Sequence, residues 1–372
     1  MLPISLEQLL SPELTQIGRL PARAPLVAYP SIEAARTGGE TPWRQSLDGV
    51  WDFQLIDGPQ AAPEGWLTPE NGQENWRSIN VPGVWTRQDT GDYPHYTNIV
   101  MPWDCEHPPT VPASNPTGLY RREFAVPSAW KNRSTVLHIG GFESIALVWC
   151  NGAFVGMGKD SRLPSEFDLS PFLQDGENML CIMVARWCDA TWIEDQDHWF
   201  HGGIHRAVWL ESRGAVHIAD HVIVADFDAD EGAGNLSVDA WIEGQSRDFK
   251  VRGKLLDADG QPVSDLGVGT VDQFPHDGTR LAQMSRAYRF AGCRAELTMA
   301  LKNIKPWSAE SPYLYTLQTE LLDADDQLIE AHTSSVGFRR IEVGGRRLRV
   351  NGTPITIIGV NRHDHHPENG KT

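Results

Sequence analysis

The stretch Ile145-Ala-Leu-Val-Trp-Cys-Asn-Gly-Ala-Phe-Val155 decides the fold: two apolar runs meet at Asn151-Gly152. Asn-Gly between apolar runs is the strongest short-range signal for a two-residue hairpin, because both residues tolerate a positive φ. The same signal returns at Asp259-Gly260 and at Asn351-Gly352. The pattern predicts antiparallel β-structure with tight turns.

Short apolar segments surround this hairpin at regular spacing. Such spacing is typical of a β-sandwich, and we expect one over residues 45–215, after an N-terminal arm over residues 1–44. Six apolar side chains in these segments are expected in its core: Val136, Ile139, Leu147, Trp149, Ile182 and Val184.

A second sandwich is predicted over residues 216–338. Leu236, Val238, Ala240 and Ile242 alternate with Ser237, Asp239, Trp241 and Glu243, as in a strand with one buried face. Further strands are expected near Lys250–Asp257, Arg286–Phe290, Leu297–Leu301 and Leu314–Asp323. Their number fits an immunoglobulin-like domain of ~100 residues.

The last stretch, residues 339–372, has a different pattern. Ile355–Val360 is continuously apolar, as in a strand buried on both faces, and Asn361-Arg-His-Asp-His-His366 follows directly. Polar residues after such a strand are typical of the mouth of a (β/α)₈ barrel, which needs ~250 residues. We therefore expect the first strand of an incomplete barrel here.

Composition narrows the possible partners and the compartment. The net charge of -17 disfavours nucleic acid and anionic membrane surfaces. No apolar run approaches the ~20 residues that cross a bilayer, and the N-terminus has no secretory pattern. The 5 cysteines are odd in number and lack a Cys-x-x-Cys pair, which favours free thiols in a cytoplasmic protein.

Four long blocks, in matching order, closely resemble the large bacterial β-galactosidases of glycoside hydrolase family 2. The blocks are Phe142–Gly152, Gly158–Leu169, Arg186–Trp199 and Gly359–Pro367, and shorter matches occur at Asn115–Gly118, Trp307–Glu310 and Val336–Arg339.

The resemblance implies a jelly-roll sugar-binding domain, an immunoglobulin-like domain and a catalytic TIM barrel. It also implies a retaining mechanism with two glutamates ~5–5.5 Å apart. Both glutamates lie downstream in the family, so we expect no catalytic residue in this chain. We expect the chain to be the N-terminal part of the enzyme and inactive alone.

Three substrate-binding residues follow from the resemblance: Asn98, Asp189 and His363. Asn98 matches a loop residue that reaches the galactose pocket, Asp189 one that contacts sugar and sodium, and His363 one that contacts the galactosyl group. The alternatives are a turn asparagine for Asn98, a surface aspartate or one paired with Arg186 or His198 for Asp189, and loop packing or metal ligation by the histidine cluster for His363.

Four tryptophans flank these positions and are candidates for cavity walls, because an aromatic face can stack on a pyranose. They are Trp103, Trp187, Trp192 and Trp199. For each of them, packing in the core is the alternative role.

The functional prediction is a β-galactosidase that hydrolyses terminal β-D-galactosides such as lactose. One alternative is a noncatalytic carbohydrate-binding or assembly module, and another is a related β-glucuronidase or β-mannosidase. The resemblance further implies sodium or potassium, magnesium bound outside this chain, and a homo-oligomer.

Overall fold

The computed structural model describes residues 2–68, 75–97, 100–103, 107–194, 197–244, 248–273 and 293–371. Their contacts form two compact units: residues 1–22, 44–212 and 361–372 make the first, and residues 23–43 and 213–360 make the second. The N-terminal 44 residues, expected as one arm, thus divide between the units after Ala22. Helix α1 (Leu6–Leu9) lies in the first unit and α2 (Ile32–Thr37) in the second.

The first unit contains sixteen described strands. They are β1 Gln16–Ile17, β2 Arg44–Ser46, β3 Gly49–Ile56, β4 Arg77–Val81, β5 Gly83–Val84, β6 His95–Tyr96, β7 Thr117–Ala125, β8 Ser134–Ile139, β9 Phe142–Glu143, β10 Ile145–Cys150, β11 Ala153–Lys159, β12 Ser165–Asp168, β13 Glu177–Ala185, β14 Trp199–Phe200, β15 Gly203–Ile204 and β16 Val208–Arg213.

Two sheets of this unit enclose its main core. One has seven strands in the order β1-β11-β10-β13-β7-β3-β4, and the other four in the order β12-β8-β16-β2. The remaining strands of the unit form two small sheets, β5-β15-β9 and β14-β6. All six predicted core residues are buried.

Strand β10 is buried on both faces. Ala146 and Val148 join the core shared with the four-stranded sheet, whereas Leu147 and Trp149 join a second cluster that includes Leu9 of α1. Successive side chains of a strand point to opposite faces, so one apolar run serves both clusters. Each fully buried aliphatic side chain contributes about 1.5–3 kcal/mol.

The Asn-Gly turns form as predicted. Asn151 (φ 50°) and Gly152 (φ 79°) join β10 to β11, and both angles are positive, as a type I′ turn requires. Asn351-Gly352 repeats this geometry with φ values of 52° and 77°. At Asp259-Gly260 only the glycine has a positive φ, of 77°.

The second unit contains a two-sheet β-sandwich. Its described strands are β17 His217–Asp228, β18 Ala233–Glu243, β19 Lys250–Leu256, β20 Pro262–Thr270, β21 Asp272–Gln273, β22 Cys293–Lys302, β23 Tyr315–Leu322, β24 Leu328–Val336, β25 Ile341–Gly344, β26 Arg347–Val350 and β27 Thr353–Pro354. The sheets run β17-β18-β22-β21 and β20-β19-β23-β24, and β25-β26-β27 forms a separate ribbon.

Most predicted strands of this unit are confirmed. Leu236, Val238, Ala240 and Ile242 of β18 are buried, as the alternation indicates, but Trp241 on the opposite face is buried as well. The expected strands at 250–257, 297–301 and 314–323 coincide with β19, β22 and β23. The segment Arg286–Phe290 lies outside the described residues.

The strand predicted over Ile355–Val360 is wrong for this structure. The segment has no regular secondary structure, and Ile357, Ile358 and Val360 are exposed. A buried parallel strand needs hydrogen-bonding neighbours on both sides. Among the described strands, none pairs with residues 355–360, so this apolar run forms no strand.

Candidate functional site

A cavity of about 720 Å³ lies in the first unit. Its walls come from β6, the turn after β11, residues 193–194 and 197–206, and the segment 363–371. The lining residues are mainly aromatic and charged: Tyr96, Arg162, Ile193, Glu194, Asp197, His198, Trp199, His205, Arg206, His363, Asp364, His365 and Lys371.

An aromatic pair forms one wall. Strand β14 pairs antiparallel with β6, which sets Trp199 opposite Tyr96 with ring centroids 5.4 Å apart. The Tyr96 hydroxyl donates to Asp197 at 2.7 Å, and this hydrogen bond raises the pKa of Tyr96. Both rings are about half exposed, so the wall offers apolar faces beside a carboxylate.

Arg186 supports this wall from below the surface. Its buried guanidinium donates to the Asp92 carboxylate at 2.8 and 2.9 Å and to the carbonyls of Tyr93 and Phe200 at 3.0 and 2.8 Å. Phe200 belongs to β14, and Tyr93 precedes β6. One side chain therefore ties together the two strands that present Tyr96 and Trp199.

His198 is neutral and fixed in one tautomer. Arg162 has only donors, so its Nη2 donates to His198 Nε2 at 2.5 Å, and His198 Nδ1–H donates to the Trp199 carbonyl at 3.1 Å. Burial lowers the pKa of His198, and the charges of Lys371 and Arg162 lower it further. The imidazole therefore anchors Arg162 at the cavity.

An ion pair adjoins the cavity through Lys371, which is one of the lining residues. Lys371 Nζ is 2.7 Å from Glu143 Oε1, and Glu143 Oε2 accepts from the His201 backbone N–H at 3.2 Å. Burial raises the pKa of Glu143, but the charge and hydrogen bond of Lys371, together with other nearby basic groups, lower it, so the net shift is downward. Burial also lowers the pKa of Lys371, against the opposing effect of Glu143.

Two histidines beside this pair are held neutral. His201 Nδ1 lies 2.7 Å from Thr86 Oγ1, and His201 Nε2 lies 3.0 Å from His365 Nε2. Burial lowers the pKa of His201 to about 3 and that of His205 to about 4. A neutral imidazole both donates and accepts, which allows the His201–His365 contact.

Glu194 supplies a second, half-buried carboxylate. It accepts from the Ser161 N–H at 2.9 Å and from the Ser161 hydroxyl at 2.5 Å. Burial raises the pKa of Glu194 more than these hydrogen bonds and the Arg162 charge lower it. The cavity thus combines carboxylates, guanidinium groups, imidazoles and aromatic faces, a set that suits a polar, uncharged ligand with many hydroxyl groups.

The three predicted site residues have different positions. His363 lines the cavity, with its ring 6.2 Å from that of His198. The Asp189 side chain is 8% exposed, and Lys159 Nζ is 2.6 Å from its Oδ1. The ion-pair partner is therefore Lys159 rather than Arg186 or His198. Asn98 lies outside the described residues.

A sodium ion does not fit Asp189 as this side chain is arranged. The Lys159 ammonium already neutralises the carboxylate and also donates to the Ser11 carbonyl at 2.8 Å. Across the described ranges, no group of three or more His, Cys, Asp or Glu side chains could hold a metal ion. The histidines at 363, 365 and 366 are likewise not gathered into such a group.

Of the four tryptophans considered as cavity walls, Trp199 alone is among the lining residues. The other three form a packed cluster: Trp103 lies edge-on to Trp187 at 5.0 Å and to Trp192 at 5.5 Å. Packing therefore accounts for these three rings.

Several residues of the site carry no local sequence signal for their role. Glu143, Arg162 and His205 lie in or near the four blocks that resemble the family, but no spacing rule joins them to Lys371. The contact between Glu143 and Lys371 spans 228 residues of chain. Only the fold brings these side chains together.

The described cysteines do not contribute reactive thiols to the site. Cys150, Cys181, Cys188 and Cys293 are free. Burial raises the pKa of Cys150 and Cys188 to about 11 and that of Cys181 to about 12, which disfavours the nucleophilic thiolate.

The helices of the described residues are too short and too polar to span a membrane.

Two domain families match in tandem. Residues 44–213 match the glycosyl hydrolases family 2 sugar binding domain, and residues 216–339 match a second domain described as glycosyl hydrolases family 2. The chain belongs to glycosyl hydrolase family 2. The cavity and the wall formed by Tyr96 and Trp199 lie largely within the sugar binding domain of this family member.

Relatives of the family 2 chain include two β-galactosidases. It is 40% identical over 358 residues to a β-galactosidase of Psychromonas ingrahamii, covering 96% of this chain and 34% of the relative. It is 39% identical over 348 residues to a β-galactosidase of Vibrio cholerae, covering 93% and 33%. The chain thus spans about a third of the length of these relatives.

Two solved glycosidase structures share the fold. A Bifidobacterium dentium β-glucuronidase superimposes with a TM-score of 0.66 at 22% identity, over 90% of this chain and 54% of that one. A Bacteroides vulgatus β-glycosidase gives 0.64 at 22% identity, over 90% and 38%. At this identity the similarity concerns the fold alone.

Proposed function

We propose that the complete protein is a β-galactosidase and that this chain supplies the sugar-positioning rim of its active site. The observation that carries the proposal is the 40% identity over 358 residues to a β-galactosidase. The cavity supports it, because its aromatic faces and mixed donors and acceptors suit a pyranose with several hydroxyl groups.

The reaction we propose is a retaining double displacement. One glutamic acid protonates the leaving oxygen while a second glutamate attacks the anomeric carbon. We place both glutamates downstream of Thr372, so the contribution of this chain is orientation. Holding the sugar in a reactive geometry lowers the barrier, because the entropy of alignment is lost on binding instead of in the chemical step.

His363 is the residue that we propose contacts the galactosyl group. It lines the cavity beside His198 and is exposed to it. A hydrogen bond that strengthens as charge develops on the sugar lowers the transition-state energy more than the ground-state energy. The proposals for Asn98 and Asp189 rest on sequence resemblance only.

The remaining expectations concern the whole protein. We propose that it is cytoplasmic and assembles as a homo-oligomer. We further propose that it uses magnesium, with ligands outside this chain, and a monovalent cation. No step of the proposed mechanism depends on these ions.

The test compares two polypeptides on three substrates. The product of the complete reading frame and the 372-residue chain are each assayed with p-nitrophenyl β-D-galactoside, β-D-glucuronide and β-D-mannoside. We expect the complete product to prefer the galactoside and the 372-residue chain to be inactive.

Three results would contradict the proposal. If the complete product preferred the glucuronide or the mannoside, the protein would be a β-glucuronidase or a β-mannosidase instead. Turnover by the pure 372-residue chain would refute the placement of both glutamates downstream. If the reading frame ended at Thr372 and the chain bound galactose without hydrolysis, a noncatalytic binding module would replace the enzyme.

A further inference from the structure

The segment 361–371 folds back onto the sandwich of the first unit, to which its contacts assign it. It carries His363, the proposed sugar contact. Its position in the cavity therefore depends on what holds this segment against the strands. We refer to residues 361–371 as the histidine segment.

Three sets of contacts hold the histidine segment. Arg87 donates to the carbonyls of Glu368 at 2.9 Å and Pro367 at 3.2 Å. His365 meets His201 at 3.0 Å. Lys371 pairs with Glu143 at 2.7 Å.

The Glu143–Lys371 contact differs from the others because two full charges are removed from water. The side chains of Lys371 and Glu143 are 11% and 6% exposed. Loss of one partner leaves the other charge buried without compensation, which is far more costly than loss of an exposed pair. Glu143 is also fixed from the sandwich side, since Oε2 accepts from the His201 N–H.

His363 itself has no comparable attachment. Within the described part of the chain, its imidazole makes no hydrogen bond, and the ring it faces, His198, is 6.2 Å away. The location of His363 is therefore set through the backbone by the anchored residues that follow it.

We propose that Glu143 and Lys371 are positioning residues whose buried ion pair fixes the histidine segment and so places His363 at the cavity. The consequence for catalysis rests on the proposed galactosidase function. The attachment of the histidine segment to the sandwich is independent of that function.

The first experiment tests the attachment in the 372-residue chain. Hydrogen–deuterium exchange of peptides that cover residues 361–371 is compared for wild type, Lys371→Met and Lys371→Arg. We expect Lys371→Met to exchange at least about tenfold faster, because opening the segment hydrates the unpaired Glu143 carboxylate. Lys371→Arg keeps the charge and should stay within about threefold of wild type.

A matched control comes from an exposed ion pair. Lys250 Nζ lies 2.7 Å from Asp326 Oδ1, the same distance, but these side chains are 31% and 66% exposed. Lys250→Met should leave exchange in residues 361–371 unchanged. Equal exchange in wild type and Lys371→Met would overturn the proposal.

The second experiment tests the catalytic consequence in the complete protein. We expect Lys371→Met and Glu143→Gln each to lower kcat for the galactoside about tenfold or more, with a smaller change in KM, because His363 acts mainly in the transition state. The double variant should lose less than the product of the single losses, as coupled residues do. Lys371→Arg should restore most of kcat.

The outcomes separate the two proposals. An inactive wild-type protein refutes the galactosidase function, and the exchange data then decide the attachment alone. An active wild type with unchanged kcat in Lys371→Met refutes the positioning role, even if exchange is faster.

Discussion

Replacing Lys159 with methionine tests whether the carboxylate of Asp189 is a structural group. The two side chains are 4% and 8% exposed, and the ammonium lies 2.6 Å from the carboxylate. Methionine fills a similar volume but leaves the Asp189 charge buried and unpaired. Breaking one partner of a buried ion pair costs about 3–5 kcal/mol.

The matched comparison is again Lys250→Met. That exposed pair has nearly the same separation, 2.7 Å, but exposed pairs contribute only about 0.2–1 kcal/mol. The two substitutions remove the same chemical group, so the difference between their costs isolates the effect of burial.

Equilibrium urea denaturation of the 372-residue chain measures both costs, followed by tryptophan fluorescence and far-UV circular dichroism. Most of the 14 tryptophans lie in the first unit, so fluorescence reports chiefly on the unit that contains Lys159. With a slope of about 2 kcal/mol/M, a loss of about 3 kcal/mol moves the midpoint down by about 1.5 M.

Asp189→Asn and the double variant complete the cycle. We expect the double variant to cost less than the sum of the single changes, because no lone charge remains buried. A cost below about 1 kcal/mol for Lys159→Met, or additive single effects, would refute the reasoning. In the complete protein, loss of galactoside binding in Asp189→Asn but not in Lys159→Met would instead assign Asp189 to the sugar.

Three further predictions concern other parts of the chain. Burial lowers the pKa of His221 from its ordinary 6.5 to about 3, so the unfolded chain binds a proton between these values that the folded chain does not. The free energy of unfolding therefore falls with decreasing pH by up to about 1.4 kcal/mol per pH unit for this residue. His221→Leu should flatten that fall in urea melts at pH 6.5 and 4.5, and an unchanged slope would contradict it. Gly370 has a φ of 75°, and a Cβ added there would lie 2.9 Å from a His201 ring atom. Gly370→Ala should therefore speed hydrogen exchange in residues 361–371, because alanine is strained at this φ and collides with His201. Equal exchange would show that the segment adapts to the added methyl group. Trp199→Ala should raise the KM of the complete protein with little change in the urea midpoint, because this ring lines the cavity. Trp187→Ala should cost about 3–5 kcal/mol of stability, because that ring lies in the packed cluster. The reverse pattern would exchange the two roles.

Local sequence rules predict the strands of this chain well where neighbours in sequence determine the structure. The Asn151-Gly152 turn is such a case, because positive φ values at both residues suffice to close the hairpin. The alternation in β18 is another, because burial of one face follows from a period of two.

These local rules fail where the surroundings of a residue are set by residues distant in the sequence. Ile355–Val360 has the composition of a buried strand, but burial requires partner strands, and an apolar run does not supply them. Proximity in sequence favours Arg186 or His198 as the partner of Asp189, yet Lys159 lies 30 positions away and reaches it from the end of β11. Likewise, the three histidines at 363, 365 and 366 suggest metal ligation, whereas the ring of His365 makes a hydrogen-bond contact with His201.

The order of the segments along the chain determines when the cavity can form during synthesis. The first unit consists of residues 1–22, 44–212 and 361–372, so its last part is translated after the whole of the second unit. Domains generally fold as they emerge, from the N-terminus onward. The sandwich can thus assemble on a nascent chain while Glu143 still lacks Lys371, and the cavity is completed only when about 150 further residues have been added. A ribosome stalled before residue 361 would carry a folded sandwich whose cavity still lacks the wall formed by the histidine segment.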